Sequence, residues 1–265
     1  ARMNTPESMR GRSREIVNEI PTDFRIVEMW SVPKNNERKD EDRIVIGTHC
    51  VAVLDGVSQG TSGDSIDGRT PGQFAVRVGA RAILELSRMD ISDPSVFVHT
   101  LSTYIRHELE THSPQYDGFL PRFVFAVYLA KTRTVIRVGD CCVRFAGEPS
   151  SATIARNPEL PVDVERRRRR TNNDDPGRDW QHMQENNPES EFGYGDIAPH
   201  RATPSVFIET FQIPPGTELI LASDGYPPET LRDTLQETNA SYDAYALSHP
   251  DTTHPDDRTY VRITT

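Results

Sequence analysis

Cysteine is scarce and membrane-length apolar sequence is missing. The 265 residues include three cysteines, two of them adjacent (Cys141, Cys142), which is too few and too irregular for a disulfide framework. All three sit in apolar, strand-like contexts and are expected to be small buried side chains. No apolar run approaches the roughly 20 residues needed to cross a bilayer, and the first 25 residues lack the apolar centre of a secretory signal. A soluble, cytoplasmic protein without membrane contact is therefore expected. Positive charge is in deficit: 30 Lys and Arg stand against 40 Asp and Glu, a formal net charge of −10. That balance repels phosphate backbones and argues against a nucleic-acid partner.

What is present is strand-like patterning interrupted by two helical stretches. Residues 1–20 are polar and without periodicity, an expected arm, and residues 21–265 are expected to form a single domain. Residues 44–54 are rich in Val and Ile and read as a strand pair broken near Gly47-Thr48. Gly, Ser, Thr and Asp dominate 59–72, a loop. Apolar residues recur at helical spacing over 74–86 and again over 96–109, predicting two amphipathic helices that cover one face of a sheet. Residues 123–130 and 134–140, separated by Lys131-Thr132-Arg133, predict a hairpin. Residues 148–200 change character, with five consecutive arginines at 166–170 and many Asn, Asp and Pro, and read as an inserted flap-like segment. Strand patterning resumes at 206–213 and 218–222 around Pro214-Pro215-Gly216, a short helix is expected at 229–235, and 259–263 supplies a last strand. Strands, two helices, more strands and a late helix suggest an α+β sandwich with helices outside.

Three apolar stretches carry an aspartate at one end: Val51-Ala-Val-Leu-Asp55-Gly56, Leu219-Ile-Leu-Ala-Ser-Asp224-Gly225, and the run that follows Asp256-Asp257. A strand carries its terminal side chain to the rim of a sheet, so these carboxylates are placed to converge on one hard metal site. Crowded carboxylates repel one another and take up protons unless cations neutralise them, and oxygen-only ligands select Mg²⁺ or Mn²⁺. The pattern reads as a metal-dependent hydrolase of phosphate esters.

In order and spacing these residues resemble the motifs of the PP2C-type metal-dependent Ser/Thr protein phosphatases over about residues 40–263. Asp40-Glu41-Asp42 looks like the family's Asn-Glu-Asp triplet, and Asp55-Gly56-Val57-Ser58-Gln59 like Asp-Gly-x-Gly-Gly. Val138-Gly139-Asp140-Cys141 is similar to Val-Gly-Asp-Ser, Ser223-Asp224-Gly225 to Ser-Asp-Gly, and Asp256-Asp257-Arg258-Thr259 to Asp-Asn-x-Thr. The resemblance implies a four-layer αββα sandwich of two antiparallel sheets with helices on the outer faces, and a centre of two Mn²⁺ or Mg²⁺ ions acting on a phosphorylated protein. In that picture Asp55 bridges both ions, Gly56 offers its carbonyl, and Asp224 and Asp256 hold the first ion. Asp42 acts through water, and Asp140 resembles a ligand of a third ion seen in bacterial members. Asp55, Asp224 and Asp256 would carry catalysis, in which a bridging hydroxide attacks phosphorus in line with the leaving oxygen. The family's phosphate-binding arginine precedes the first acidic motif; Arg38 or Lys39 stands there, equally readable as a solvated charge.

Two segments depart from the family pattern. Ser58-Gln59 replaces a Gly-Gly, and Leu120-Pro121-Arg122 replaces the Gly-Ser-Thr that opens the middle hairpin. They keep open a catalytically silent domain that binds a phosphoprotein or regulatory partner, beside a phosphatase for proteins or for small phosphorylated molecules. The arginines at 166–170 read either as a grip for acidic phosphopeptides or as a solvated run beside Asp174, Asp175 and Glu185. His107 and His112 are five apart, not the four of a helical zinc pair, and read as surface residues.

Overall fold

The structure is a computed structural model that describes residues 22–33, 40–57, 65–146, 153–156, 162, 164, 165, 168, 169, 180, 181, 183–249 and 256–265. The expected arm at 1–20, Arg38, Lys39 and Ser58-Gln59 lie outside these residues. Among the described residues, ten strands make two antiparallel sheets. In the first, the order is β1 (Arg25–Val32), β10 (Arg258–Thr264), β9 (Glu218–Ala222), β6 (Cys142–Ala146) and β7 (Thr153–Arg156). In the second it is β2 (Asp42–Ile46), β3 (Cys50–Val57), β4 (Arg122–Leu129), β5 (Thr134–Val138) and β8 (Ile208–Gln212).

Period-two alternation explains how the sheets stack, because alternate residues of one strand face opposite sides. Val51, Val53, Val124, Ala126 and Tyr128 of the second sheet meet Val143, Phe145, Leu219, Leu221, Val261 and Ile263 of the first in a core between them. Their neighbours Ala52, Leu54, Phe123, Phe125 and Val127 face the other way, against α1 (Pro71–Leu86) and α2 (Pro94–His112). On the far face of the first sheet, Cys142, Ile220, Ala222 and Tyr260 pack with Tyr226 and Leu231, and with Tyr242 of a third helix, α3 (Leu235–Ser248). The result is helix, sheet, sheet, helix in four layers. Both long helices start on strong signals: Thr70 and Gln73 form a reciprocal capping box ahead of Pro71, and Asp93 caps α2 ahead of Pro94. All three cysteines are buried and unpaired, and no described helix is long and apolar enough to cross a membrane.

Two expectations are corrected, and one strand is added to them. The short helix expected at 229–235 is a single 3-10 turn at Pro228–Thr230, and the helix begins where that segment ends. Thr234 is the reason: its side chain accepts the Glu237 N–H and starts the helix there. The strand expected at 206–213 begins with a 3-10 turn, Ser205–Phe207, before β8. β1 was not anticipated from the sequence; it is a half-exposed edge strand whose side chains show no clean alternation between buried and exposed.

Candidate metal centre

Five strand ends meet at one rim. β2 starts at Asp42, which lies opposite Asp55 near the end of β3. β5 ends at Val138 and runs through Gly139 to Asp140, β9 runs through Ser223 to Asp224, and β10 starts just after Asp256 and Asp257. Gly139 sits at φ +85°, the left-handed region that glycine tolerates without strain, and this turn aims the chain at the rim.

Two groups of carboxylates result. Asp55, Asp140 and Asp224 each offer an oxygen, all within 4.8 Å of one another, and the same holds for Asp40, Asp42 and Asp257. Asp42 and Asp224 repel each other, which couples the two groups electrically. The Asp55 carboxyl is pushed well above the usual range, first by burial and then by Asp224, Asp42 and Asp140, and it lies close enough to Asp224 to share a hydrogen bond. Two carboxylates at that separation require a proton or a cation between them. Burial likewise raises Asp42 well above its ordinary value, although the Ser223 and Thr259 hydroxyls bond its carboxyl.

The rim is held from behind by backbone contacts. The Ser223 hydroxyl accepts the Thr259 N–H at 2.9 Å while the Ser223 N–H donates to the Thr259 carbonyl at 3.0 Å, tying β9 to β10 beside Asp224. The Glu41 N–H donates to Asp257 Oδ2 at 2.9 Å, joining the start of β2 to the start of β10. Gly56 packs against Gly72 in the first turn of α1 so closely that a Cβ on Gly56 would lie 2.8 Å from the Gly72 carbonyl.

The donor set is suited to hard divalent cations. It is made of oxygen alone, and the nearest thiol, Cys141, is raised by burial and turned toward the Val53 carbonyl. One carboxylate oxygen, Asp42 Oδ2, is buried without a hydrogen-bond partner among the described residues, an arrangement a cation or an ordered water would relieve.

Of the residues singled out from sequence, Asp55, Asp140 and Asp224 stand together, Gly56 adjoins Asp55, and Asp42 stands in the neighbouring group. Asp256 belongs to neither group. It is exposed, and its Oδ1 accepts the Asp257 N–H at 2.9 Å, while Asp257 is the buried member of the pair. Sequence reasoning passed over Asp40 and Asp257. Each is an acid where the resembling motifs carry an amide, which was the available signal. Within the arginine run, Arg168 and Arg169 both bind Glu165, at 2.7 and 2.6 Å, and Arg169 lies over Trp180. These contacts hold the Glu165 carboxyl down to about 2. Glu185, expected to compensate that run, is buried and pairs with Arg122.

No protein-family model matches the sequence, and no curated protein matches it. Solved structures do. The serine/threonine phosphatase PstP/Ppp of Mycobacterium tuberculosis superposes with a TM-score of 0.55 at 16% identity, over 91% of this chain and 98% of that one. The catalytic domain of PstP in complex with two manganese ions gives 0.56 at 12%, over 91% and 97%. The serine/threonine phosphatase Stp1 from Staphylococcus aureus gives 0.54 at 13%, over 93% and 97%. Likeness at these identities defines the fold.

Proposed function

We infer that this chain, whose fold is that of the PP2C-type phosphatases, is a metal-dependent phosphomonoester hydrolase acting on phosphoserine or phosphothreonine in proteins. The observation that carries this reading is the group of Asp55, Asp140 and Asp224, three carboxylates from three strand ends within 4.8 Å, with the orphaned Asp42 Oδ2 beside them. Asp55, Asp140 and Asp224, with the Gly56 carbonyl, would hold Mn²⁺ or Mg²⁺, and in this reading Asp256 would join them as a further ligand. When bound, such ions supply Lewis-acid stabilisation of phosphoryl charge and acidify water.

The chain's own groups do the rest. Asp42, bonded by Ser223 and Thr259, orients water next to Asp55 and accepts its proton. Ser223 is committed to the β9–β10 tie and Cys141 is buried and protonated, which accords with water as the attacking group in this reading. Residues 21–265 act as one domain in this reading, supported by the pairing of β1 with β10 from the two ends of the sequence. A cytoplasmic location and a phosphoprotein substrate accompany it.

The test is hydrolysis of p-nitrophenyl phosphate and of a phosphothreonine peptide in Mn²⁺, Mg²⁺ and EDTA, for the wild type and Asp224→Asn. Turnover that needs the metal and disappears in the variant supports the reading. A folded protein that binds Mn²⁺ and hydrolyses neither substrate overturns it in favour of a silent binding domain.

A further inference from the structure

We propose that Arg122 is a positioning residue for this centre: by gripping Glu185 and Asp196 together it seats residues 183–204 against Gly139 and so holds Asp140 beside Asp55 and Asp224. The inference rests on the metal-site reading above and adds to it a residue that no ligand set includes.

Arg122 opens β4, a strand with every residue buried, and is itself only 2% exposed. An arginine in that setting must find anionic partners, because an isolated buried guanidinium is costly. It finds two, and both belong to the same segment. Its Nη1 pairs with Glu185 and, at 3.3 Å, with Asp196 Oδ2, while its guanidinium lies 4.3 Å from the centroid of the Phe119 ring. Its Nε–H meets no acceptor among the described residues. The guanidinium is thus dedicated to one job, at one non-ideal geometry.

The acids it grips are further braced. Asn186 Nδ2 donates to Asp196 Oδ1 at 2.7 Å, the Asp196 N–H returns to Asn186 Oδ1 at 3.2 Å, and the Thr203 hydroxyl donates to the Asp196 carbonyl at 2.6 Å. Tyr194 bonds Glu185, and Arg201 bonds the Glu185 carbonyl. The segment is therefore bound as a unit.

From this unit, contacts run to the rim on both sides. Phe123, next to Arg122, exchanges backbone hydrogen bonds with Ile197 at 3.3 and 2.9 Å, and it pairs with Gly56 across the sheet. Gly195, next to Asp196, leaves no room beyond its backbone, since a Cβ there would lie 3.1 Å from Val138 Cγ1 and 3.3 Å from Thr203 Cγ2. Its carbonyl lies 3.4 Å from where a Cβ of Gly139 would be. Gly139 is the left-handed turn that delivers Asp140. Moving the segment off Arg122 takes this backing away from the turn.

The experiment is Mn²⁺ binding, read by electron paramagnetic resonance and calorimetry so that no turnover is required, in the wild type, Arg122→Met, Asp140→Asn and the double variant. Residues that orient metal ligands from outside typically change affinity by about 10–100-fold. We expect Arg122→Met to weaken one class of Mn²⁺ site by about tenfold or more, Asp140→Asn to weaken the same class, and the double variant to bind no worse than Asp140→Asn alone. Such non-additivity is the signature of action through Asp140, and general loosening of the fold does not produce it. Arg122→Lys should recover part of the affinity. If Arg122→Met does not fold, Asp196→Asn carries the same cycle, since it keeps the Asn186 contact and removes one charge. Wild-type affinity in a folded Arg122→Met, or losses that multiply with Asp140→Asn, overturns the proposal. Mn²⁺ binding that responds to Arg122 without any hydrolysis by the wild type would sink the phosphatase reading and leave this one standing.

Discussion

Asp55→Asn should make the metal-free protein more stable and the metal-loaded protein less so. Asp55 has two carboxylate neighbours in its own group within 4.8 Å. At an effective dielectric of about 20, each fully ionised pair at that distance costs about 3.5 kcal/mol, so two pairs approach 7 kcal/mol. Proton uptake at the raised Asp55 already relieves most of that. The remaining gain from an uncharged amide of the same shape is about 1–2 kcal/mol, which for a chain of this size corresponds to a rise of about 2–8 °C in Tm. With Mn²⁺ at about a hundred times its dissociation constant, the wild type gains about 2.7 kcal/mol, and the variant, short of its central ligand, gains little. Scanning calorimetry in EDTA and in Mn²⁺ should therefore show the order of the two proteins inverted. An Asp55→Asn protein that melts below the wild type in EDTA, or that gains as much from Mn²⁺, would refute the idea that these carboxylates are held together against their own repulsion.

The same crowding fixes a pH dependence. Asp42 and Asp55 bind protons more tightly in the folded chain than in the unfolded one, so their contribution to stability is complete below the unfolded carboxylate value near 3.9 and is lost as pH rises through the raised folded values. Urea midpoints in EDTA should fall from about pH 5 to pH 8, and saturating Mn²⁺ should flatten the slope; a rising slope in EDTA contradicts this. Arg137 is 0% exposed and gives Glu209, which is 33% exposed, hydrogen bonds from both Nε and Nη2, so Glu209→Ala, which removes that carboxylate from a buried guanidinium, should cost about 2–3 kcal/mol in urea melts; an unchanged midpoint would count against it. Gly139→Ala places a Cβ on the Val124 side chain at a left-handed position and should lose about 1–3 kcal/mol together with Mn²⁺ affinity. Unchanged melting and Mn²⁺ titrations in that variant would dismiss the turn as a support for Asp140.

What the sequence discloses depends on whether a residue's neighbours in the chain are also its neighbours in space. β3, β4 and β9 each contain an unbroken apolar run, over 50–54, 123–129 and 219–222, and Asp55 just after the first run and Asp224 two residues beyond the last are visible because of the run before them. α1 and α2 show apolar faces; α3 buries only Thr238 and so has no face to read, and β1 sits at an edge where half-exposed side chains follow no period. The adjacent acids Asp256 and Asp257 look interchangeable in one dimension. The Glu41 N–H, 216 residues away, bonds Asp257 and so helps distinguish it. Arg122 is likewise unreadable, because its partners lie far along the chain in a stretch whose composition resembles a loop.

The order of strands in the first sheet sets a timetable for synthesis. β1, made before the rest of its sheet, pairs among the described strands with β10 alone, and β10 lies between β1 and β9. Until β10 emerges, β1 has no place in the sheet, and the edge of β9 that will receive β10 stands open to any passing strand. Asp257 arrives with that same strand, so the rim remains incomplete until the sheet closes. A ribosome-bound chain short of β10 would be a target for chaperones and unable to assemble the full set of rim carboxylates.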